Sequence, residues 1–175
     1  MILNEAEIQA GVARLAGEIR LRYARRPLTV VAVLTGSVVL LADLIRLLEV
    51  PLRVGLIQAR SYRNTATAPG PLEIHAELLP ALSGHDVLLV DDIFDTGRTL
   101  ESLLPQIRRL NPKSLHSAVL LRKQERQQVS VEPDHVAFMI PDEFVVGYGL
   151  DYNDAYRNLP YIAALEPHEM DGDSN

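Results

Sequence analysis

Apolar and polar positions alternate along the chain in two distinct patterns. Ile8, Val12, Leu15 and Ile19 recur at helical spacing and predict an amphipathic first helix. Asn4 and Glu7 precede them with the spacing of a capping box, which predicts where this helix begins. Farther along, short apolar runs bounded by charged or turn residues predict buried strands instead.

Predicted strands and helices alternate through the first two thirds of the chain. Strand patterns cover residues 29–34, 52–61, 86–90 and 115–121, and helical patterns cover residues 38–49 and a run that starts at Arg98. This alternation predicts an α/β fold, a mostly parallel twisted sheet flanked by helices. Residues 62–71 have no periodicity and predict a mobile loop.

The remaining segments complete the predicted organisation. From Pro133 onward the sequence predicts short strands and turns. At 175 residues and 47% hydrophobic content, the chain suits one core, so we expect a single domain over residues 1–165. Residues 166–175 form an acidic tail that we expect to be frayed.

Composition narrows the possible partners. The formal net charge of −6 disfavours binding to nucleic acid, which needs many basic residues. Residues 28–42 are uncharged, but Thr35, Gly36 and Ser37 interrupt them and the stretch is shorter than a membrane span requires. The chain has no cysteine, so a metal would need oxygen or nitrogen ligands. These features favour a cytoplasmic protein that binds small molecules rather than membranes.

The most informative motif is the strand and turn at residues 87–100. Asp91 and Asp92 follow an apolar run, at the end of a strand where ligands of open α/β sheets bind. Residues 95–99, Asp-Thr-Gly-Arg-Thr, then open a helix whose N–H groups, together with the hydroxyl groups of Thr96 and Thr99, suit a phosphate monoester. Gly97 allows close approach of the backbone. Read structurally, the same residues could instead form a helix cap and a turn.

Acids beside a phosphate site imply a cation. A polyanionic ligand would be repelled by Asp91, Asp92 and Asp95 unless a divalent ion lay between them. Mg²⁺ fits, because it binds through one or two carboxylates together with substrate phosphates.

Two further segments are candidates for the same site. Thr35, Gly36 and Ser37 lie at a second strand-to-helix junction, which could cradle another anion or be a plain βα turn. Ser61 and Tyr62 lead into the predicted loop, which could close over a reacting centre or be an ordinary exposed loop.

The motif at residues 87–100 resembles the phosphoribosyl-pyrophosphate (PRPP) binding motif of the type I phosphoribosyltransferases. Thr35 and Gly36 are similar to that family's pyrophosphate loop, where a cis peptide, here Leu34–Thr35, is often found. Many relatives carry a basic residue in place of Thr35. Ser61 and Tyr62 look like the start of the catalytic flap in the 6-oxopurine branch. Residues 141–161 resemble the hood of the hypoxanthine-guanine phosphoribosyltransferases. This resemblance implies a small hood formed mainly by residues 133–165 with help from the N-terminus.

The resemblance implies a role for each matching residue. Asp91 and Asp92 would hold the ribose hydroxyls, one directly and one through metal or water, and residues Asp95, Thr96, Gly97, Arg98 and Thr99 would hold the 5′-phosphate. Asp95 would also act as the catalytic base toward purine N7. Thr35, Gly36 and Arg157 would bind pyrophosphate. Asp151, beside the base, would bind a second Mg²⁺.

The purine would be recognised by three more residues. Phe144 would stack on it, the backbone at Val145 would read its edge, and Lys123 would donate to O6, favouring 6-oxopurines over adenine. Taken singly, Phe144 and Val145 could be core residues, and Lys123 and Arg157 could be solvated cations. Glu143 departs from a lysine common in the hood, so the choice among 6-oxopurines stays open.

The implied reaction converts PRPP and hypoxanthine or guanine into the nucleoside monophosphate and pyrophosphate, with Mg²⁺ as cofactor. A homodimer or homotetramer is expected, because relatives form both. Two alternatives remain: an enzyme specific for xanthine and guanine, and a regulator that keeps the PRPP motif but binds RNA.

Overall fold

A six-stranded sheet dominates the computed structural model, which describes residues 1–61, 72–75 and 77–170. Its strands are β1 (Leu28–Leu34), β2 (Leu52–Ser61), β3 (Leu72–His75), β4 (Asp86–Phe94), β5 (Ser114–Lys123) and β6 (His135–Ile140). Their spatial order is β3-β2-β1-β4-β5-β6. All neighbours pair in parallel except β2 and β3, which are antiparallel. The predicted mostly parallel α/β sheet is confirmed.

Three helices cover the two faces of this sheet. They are α1 (Glu5–Tyr23), α2 (Val38–Leu47) and α3 (Arg98–Arg108). The predicted capping box begins α1, because Asn4 accepts from the Glu7 backbone and Glu7 accepts from the Asn4 backbone. Buried side chains of α1 and α2 pack on one face, and those of α3 pack on the other. The sheet is therefore buried on both sides, as its apolar strands require.

The hood is built from both ends of the chain. Strands β7 (Val145–Val146) and β8 (Ala163–Ala164) pair antiparallel, and Leu3 bridges to Ile162 beside them. A short helix, α4 (Pro167–Met170), follows. None of the described helices is long and apolar enough to cross a membrane.

The boundaries of some elements differ from their predictions. Strand β4 continues past Val90 to Phe94, because Asp91, Ile93 and Phe94 still pair with β5. Helix α2 ends at Leu47 rather than Glu49. The antiparallel strand β3 was not predicted at all. The predicted loop at residues 62–71 lies outside the described residues.

Candidate active site

A cavity of about 390 Å³ opens where β1 and β4 end. It gathers predicted residues from three parts of the chain: Thr35, Gly36, Asp91, Asp92, Asp95, Thr96, Gly97, Thr99, Asp151 and Arg157. The parallel pairing of β1 with β4 brings the first two groups together. The hood contributes the last two residues. The topology therefore concentrates acids, hydroxyls and one arginine around a single space.

Asp91 and Asp92 are adjacent acids that both line this cavity. Burial and the neighbouring charge of Asp92 raise the pKa of Asp91 well above its usual range. Burial also raises the pKa of Asp92, while hydrogen bonds and the charge of Arg157 oppose that rise. Asp92 N–H donates to Asp91 Oδ1 at 3.0 Å, and Ile93 N–H donates to Asp92 Oδ1 at 2.7 Å. A cation or a sugar hydroxyl in contact with these carboxylates would stabilise their charged forms.

The loop before α3 leaves the N-terminus of that helix open. Gly97 is the N-cap residue with φ +86°, and no side chain caps the helix. A Cβ at this position would overlap Val129 and Phe94, so glycine is required. The structure therefore does not support the interpretation of this segment as a mere capping motif. Thr96, Gly97 and Thr99 of this turn line the cavity, and the N-terminus of a helix suits an anion there.

The loop between β1 and α2 also leads into a helix that no side chain caps. Ser37 is the residue before α2, but its side chain does not cap the helix, because its hydroxyl donates instead to Val33 O at 2.5 Å. The Leu34–Thr35 peptide is cis, as expected. Gly149 of the hood, with φ +99°, packs its Cα against Gly36 O. The hood backbone therefore packs directly against this loop.

Asp151 and Arg157 pair across the cavity wall. Arg157 Nη2 lies 2.7 Å from Asp151 Oδ1, and Arg157 Nη1 donates to Gly149 O at 2.7 Å. The Asp154 N–H donates to Asp151 Oδ2 at 2.9 Å. Arg157 is thus fixed by the hood and not free in solvent.

Asp95 belongs to a ring of four alternating charges. Arg126 Nε donates to Asp95 Oδ1 at 2.9 Å, and Lys123 Nζ lies 3.7 Å from Asp95 Oδ2. Asp142 Oδ1 closes the ring, 3.5 Å from both Lys123 Nζ and Arg126 Nε. Lys123 is buried at the end of β5, whereas Arg126 is 43% exposed. Lys123 is therefore not the solvated lysine that its sequence position alone would suggest.

Phe144 and Val145 lie in the hood, outside the residues that line the cavity. Phe144 is 41% exposed, and its ring meets Tyr152 edge-on with centroids 5.6 Å apart. Val145 is buried and pairs with Ala164. The exposed ring of Phe144 is available for stacking, whereas the Val145 side chain belongs to the core.

Arg98 does not line the cavity, and neither do Lys123, Phe144 and Val145. Arg98 is exposed, and its guanidinium donates to Gln128 at 3.0 Å, so its backbone is the part placed near a phosphate. Ser61 is the last residue of β2, and Tyr62 lies outside the described residues. The predicted flap thus stays a prediction.

The sequence motifs did not identify Arg126 or Asp142. Arg126 follows the carboxyl end of β5, and Asp142 follows that of β6. Both ends meet the same edge of the sheet as Asp95, which is the signal that could have found them.

Known proteins are similar to this chain in sequence and in fold. A family model described as the phosphoribosyl transferase domain matches residues 1–153. The chain is 39% identical to hypoxanthine-guanine phosphoribosyltransferase of Staphylococcus epidermidis over 95% of this chain and 93% of that protein. It is 38% identical to the bifunctional protein TilS/HprT of Listeria innocua over 95% of this chain, and spans about a quarter (26%) of that protein's length.

A crystal structure of a hypoxanthine-guanine phosphoribosyltransferase from Bacillus anthracis superposes with a TM-score of 0.89 at 37% identity. The match covers 95% of this chain and 98% of that one. The chain therefore belongs to the phosphoribosyltransferase family, in its hypoxanthine-guanine branch.

Proposed function

We propose that the protein transfers the 5-phosphoribosyl group of PRPP to N9 of hypoxanthine or guanine, releasing pyrophosphate, as a step of purine salvage. One observation carries the proposal. The loops that lead into two helices without side-chain caps line one cavity together with an acid pair, and Asp95 and Lys123 are paired at its side. Two phosphate sites that flank a sugar site match the PRPP half of this reaction. A general base beside a cation matches the purine half.

The donor half uses groups already placed around the cavity. The 5′-phosphate would bind the α3 N-terminus, with the hydroxyls of Thr96 and Thr99 as further donors. Pyrophosphate would bind at Thr35 and Gly36, together with Arg157. Thr35 brings no charge, so this second site depends on backbone N–H groups and on the Arg157 guanidinium. Asp91 and Asp92 would accept hydrogen bonds from the ribose hydroxyls.

The acids of the cavity fit magnesium. Asp91, Asp92 and Asp151 offer oxygen only, which Mg²⁺ prefers, and burial already makes the charged pair unfavourable without a cation. No group of three or more His, Cys, Asp or Glu side chains in the described part of the chain forms a ready metal site. An ion held by one or two of these acids and completed by substrate phosphates is consistent with that. When bound, Mg²⁺ would neutralise charge on the departing pyrophosphate.

The acceptor half would lie between the ring of charges and the hood. The purine would stack on Phe144, and the backbone near Val145 would meet its edge. Lys123 carries donors and no acceptor, so it would bind O6 and disfavour an amino group. Asp95 would accept the N7 proton as N9 attacks C1′. O6 and N7 are neighbours on one edge of the purine, as Lys123 Nζ and Asp95 Oδ2 are in the protein.

The test is pyrophosphate release from PRPP and Mg²⁺ with hypoxanthine, guanine, xanthine or adenine supplied singly. We expect turnover with hypoxanthine or guanine and little with adenine. Preferred use of xanthine would favour the xanthine-guanine alternative. RNA retardation in a gel at physiological salt, without base-dependent turnover, would favour the regulator and contradict the proposal.

Three further predictions concern the oligomeric state, the cellular location and the flap. A homodimer or homotetramer is expected, to be measured by light scattering of the purified chain. A cytoplasmic location and a flap that begins at Ser61 and Tyr62 also stay predictions. Tyr62→Ala should then reduce turnover more than PRPP binding, because a closed flap excludes water from the reacting centre.

A further inference from the structure

Arg126, like Asp142, is a member of the charge ring to which the proposed reaction assigns no role. It lies in the loop after β5, where Glu125 adopts φ +60°. Its guanidinium reaches Asp95 with two nitrogens: Nε at 2.9 Å from Oδ1 and Nη2 at 3.5 Å from Oδ2. Asp142 lies 3.5 Å from the same Nε. The guanidinium therefore has a carboxylate on each of two sides, and its contact with Asp95 through two nitrogens is the geometry that orients an arginine and a carboxylate best.

We infer that Arg126 is a positioning residue for Asp95. Its planar fork fixes the plane of the Asp95 carboxylate, and it occupies Oδ1 so that Oδ2 is left toward Lys123 and the purine edge. This inference rests on the proposed function, in which Asp95 is the base. It assigns different tasks to the two oxygens of one carboxylate, one to hold the side chain and one to accept the proton.

The distances support that division. Oδ1 accepts a short hydrogen bond, whereas Oδ2 has its two cationic neighbours at 3.5 and 3.7 Å. Oδ2 is thus the less saturated oxygen and the one that faces Lys123, the proposed O6 donor. A carboxylate free to rotate about its last bond would present this oxygen for only part of the time, and small misplacements in a reacting pair cost large factors in rate.

Asp142 is a second counterion for both cations of the ring. It lies 3.5 Å from both Lys123 and Arg126, so neither cation has Asp95 as its sole counterion. Because Arg126 also pairs with Asp95, Lys123 can turn toward a ligand without leaving Asp95 unpaired. A lysine in place of Arg126 would keep the positive charge but would lack the planar guanidinium that fixes the Asp95 carboxylate.

The experiment compares Arg126→Ala, Arg126→Lys, Asp95→Asn and the double variant Asp95→Asn/Arg126→Ala with the unaltered chain. Arg108→Ala, an exposed arginine at the end of α3, is the matched control. The readouts are kcat, KM for PRPP and for hypoxanthine, and thermal unfolding. Rescue of Arg126→Ala by added methylguanidinium is the fifth measurement.

We expect Arg126→Ala to lower kcat by roughly tenfold, with KM for PRPP and the thermal midpoint unchanged. Arg126→Lys should recover only part of the loss, and methylguanidinium should restore turnover to Arg126→Ala but not to Asp95→Asn. Because Arg126 acts through Asp95, its removal should cost nothing further in the Asp95→Asn background.

Several outcomes would overturn the inference alone. They are a kcat for Arg126→Ala equal to that of Arg108→Ala, a raised kcat, losses that multiply in the double variant, or full recovery with lysine. A slowed Asp95→Asn variant beside any of these leaves the proposed function standing. If Asp95→Asn is not slowed, or the unaltered chain has no turnover, the proposed function fails and takes this inference with it.

Discussion

Gly36 packs directly against Asp92, so that a methyl group on the Gly36 Cα would overlap Asp92 Oδ2. The loop after β1 and the acid pair of β4 are therefore one packed unit rather than two neighbouring sites. Gly149 presses on the same loop from the hood, with its Cα against Gly36 O. The position of the Asp92 carboxylate is thus set by backbone that belongs to the proposed pyrophosphate site.

Gly36→Ala should therefore weaken PRPP binding by about tenfold or more, because the new Cβ must displace the Asp92 side chain or shift the loop. The measurement is the dissociation constant for PRPP by titration calorimetry with Mg²⁺ present. An unchanged constant would show that the loop and Asp92 move independently.

Gly17→Ala is the matched control. Gly17 lies within α1, and nothing would come within 4 Å of a Cβ added there. Alanine in a helix restricts the unfolded chain without cost to the folded one, so this variant should gain about 0.4–1 kcal/mol in the free energy of unfolding. Its PRPP binding should equal that of the unaltered chain.

Much of the site could be predicted because its residues are adjacent in sequence and follow buried strands. Asp91, Asp92 and Thr96 come from one segment, and their place at the end of a strand follows from the apolar run before them. The sequence also predicted the capping box at Asn4 and the strand β1. Strand β4 proved longer than its apolar run, because pairing with β5 carries it through the acids to Phe94.

The contacts between distant segments could not be predicted in the same way. Arg126 is one of many charged residues in its segment, and only the order of β4, β5 and β6 in the sheet brings it to Asp95. The approach of Gly149 to Gly36 depends on how the hood folds back. Strand β3 was missed because its four residues pair only with β2, at the edge of the sheet.

Asp95→Asn should lower kcat by about a hundredfold while leaving PRPP binding within a factor of about two, because an amide keeps the shape but cannot accept the proton. Single-turnover kinetics separate the chemical step from binding. An equal loss in PRPP affinity would mean that Asp95 acts in donor binding and not as the catalytic base.

Tyr23 should make the fold sensitive to alkali. Burial is the main cause that raises the pKa of Tyr23 from 10.0 to about 12. The folded state then binds this proton more tightly than the unfolded state, so the contribution to stability is fully present below pH 10 and is lost as pH rises toward 12. The loss is at most about 3 kcal/mol for a shift of this size.

Tyr23→Phe should remove that part of the pH dependence. The variant also loses the hydrogen bond from Tyr23 Oη to Val87 O at 3.2 Å, so it should be less stable at neutral pH. Burial and Asp43 raise the pKa of Tyr148 as well, so some alkaline loss will remain. Urea unfolding at neutral pH and between pH 10 and 12 gives the comparison, and parallel curves for the two proteins would contradict the assignment to Tyr23.

Lys123→Ala should reduce discrimination between hypoxanthine and adenine, because the donor to O6 is removed together with its repulsion of an amino group. The variant also leaves Asp95 and Asp142 with one cation fewer, which will slow turnover with every base. The informative quantity is therefore the ratio of kcat/KM for hypoxanthine to that for adenine, and not either rate alone.

Lys113→Ala is the control, since Lys113 is the only other lysine of the chain. It lies 3.9 Å from Asp86. Asp86 is the first residue of β4, at the opposite end of that strand from the cavity. The ratio for Lys113→Ala should equal that of the unaltered chain. A Lys123→Ala ratio that also stays unchanged would mean that base selection resides in the hood, at Phe144 and the neighbouring backbone, and that Lys123 serves only to balance the two carboxylates.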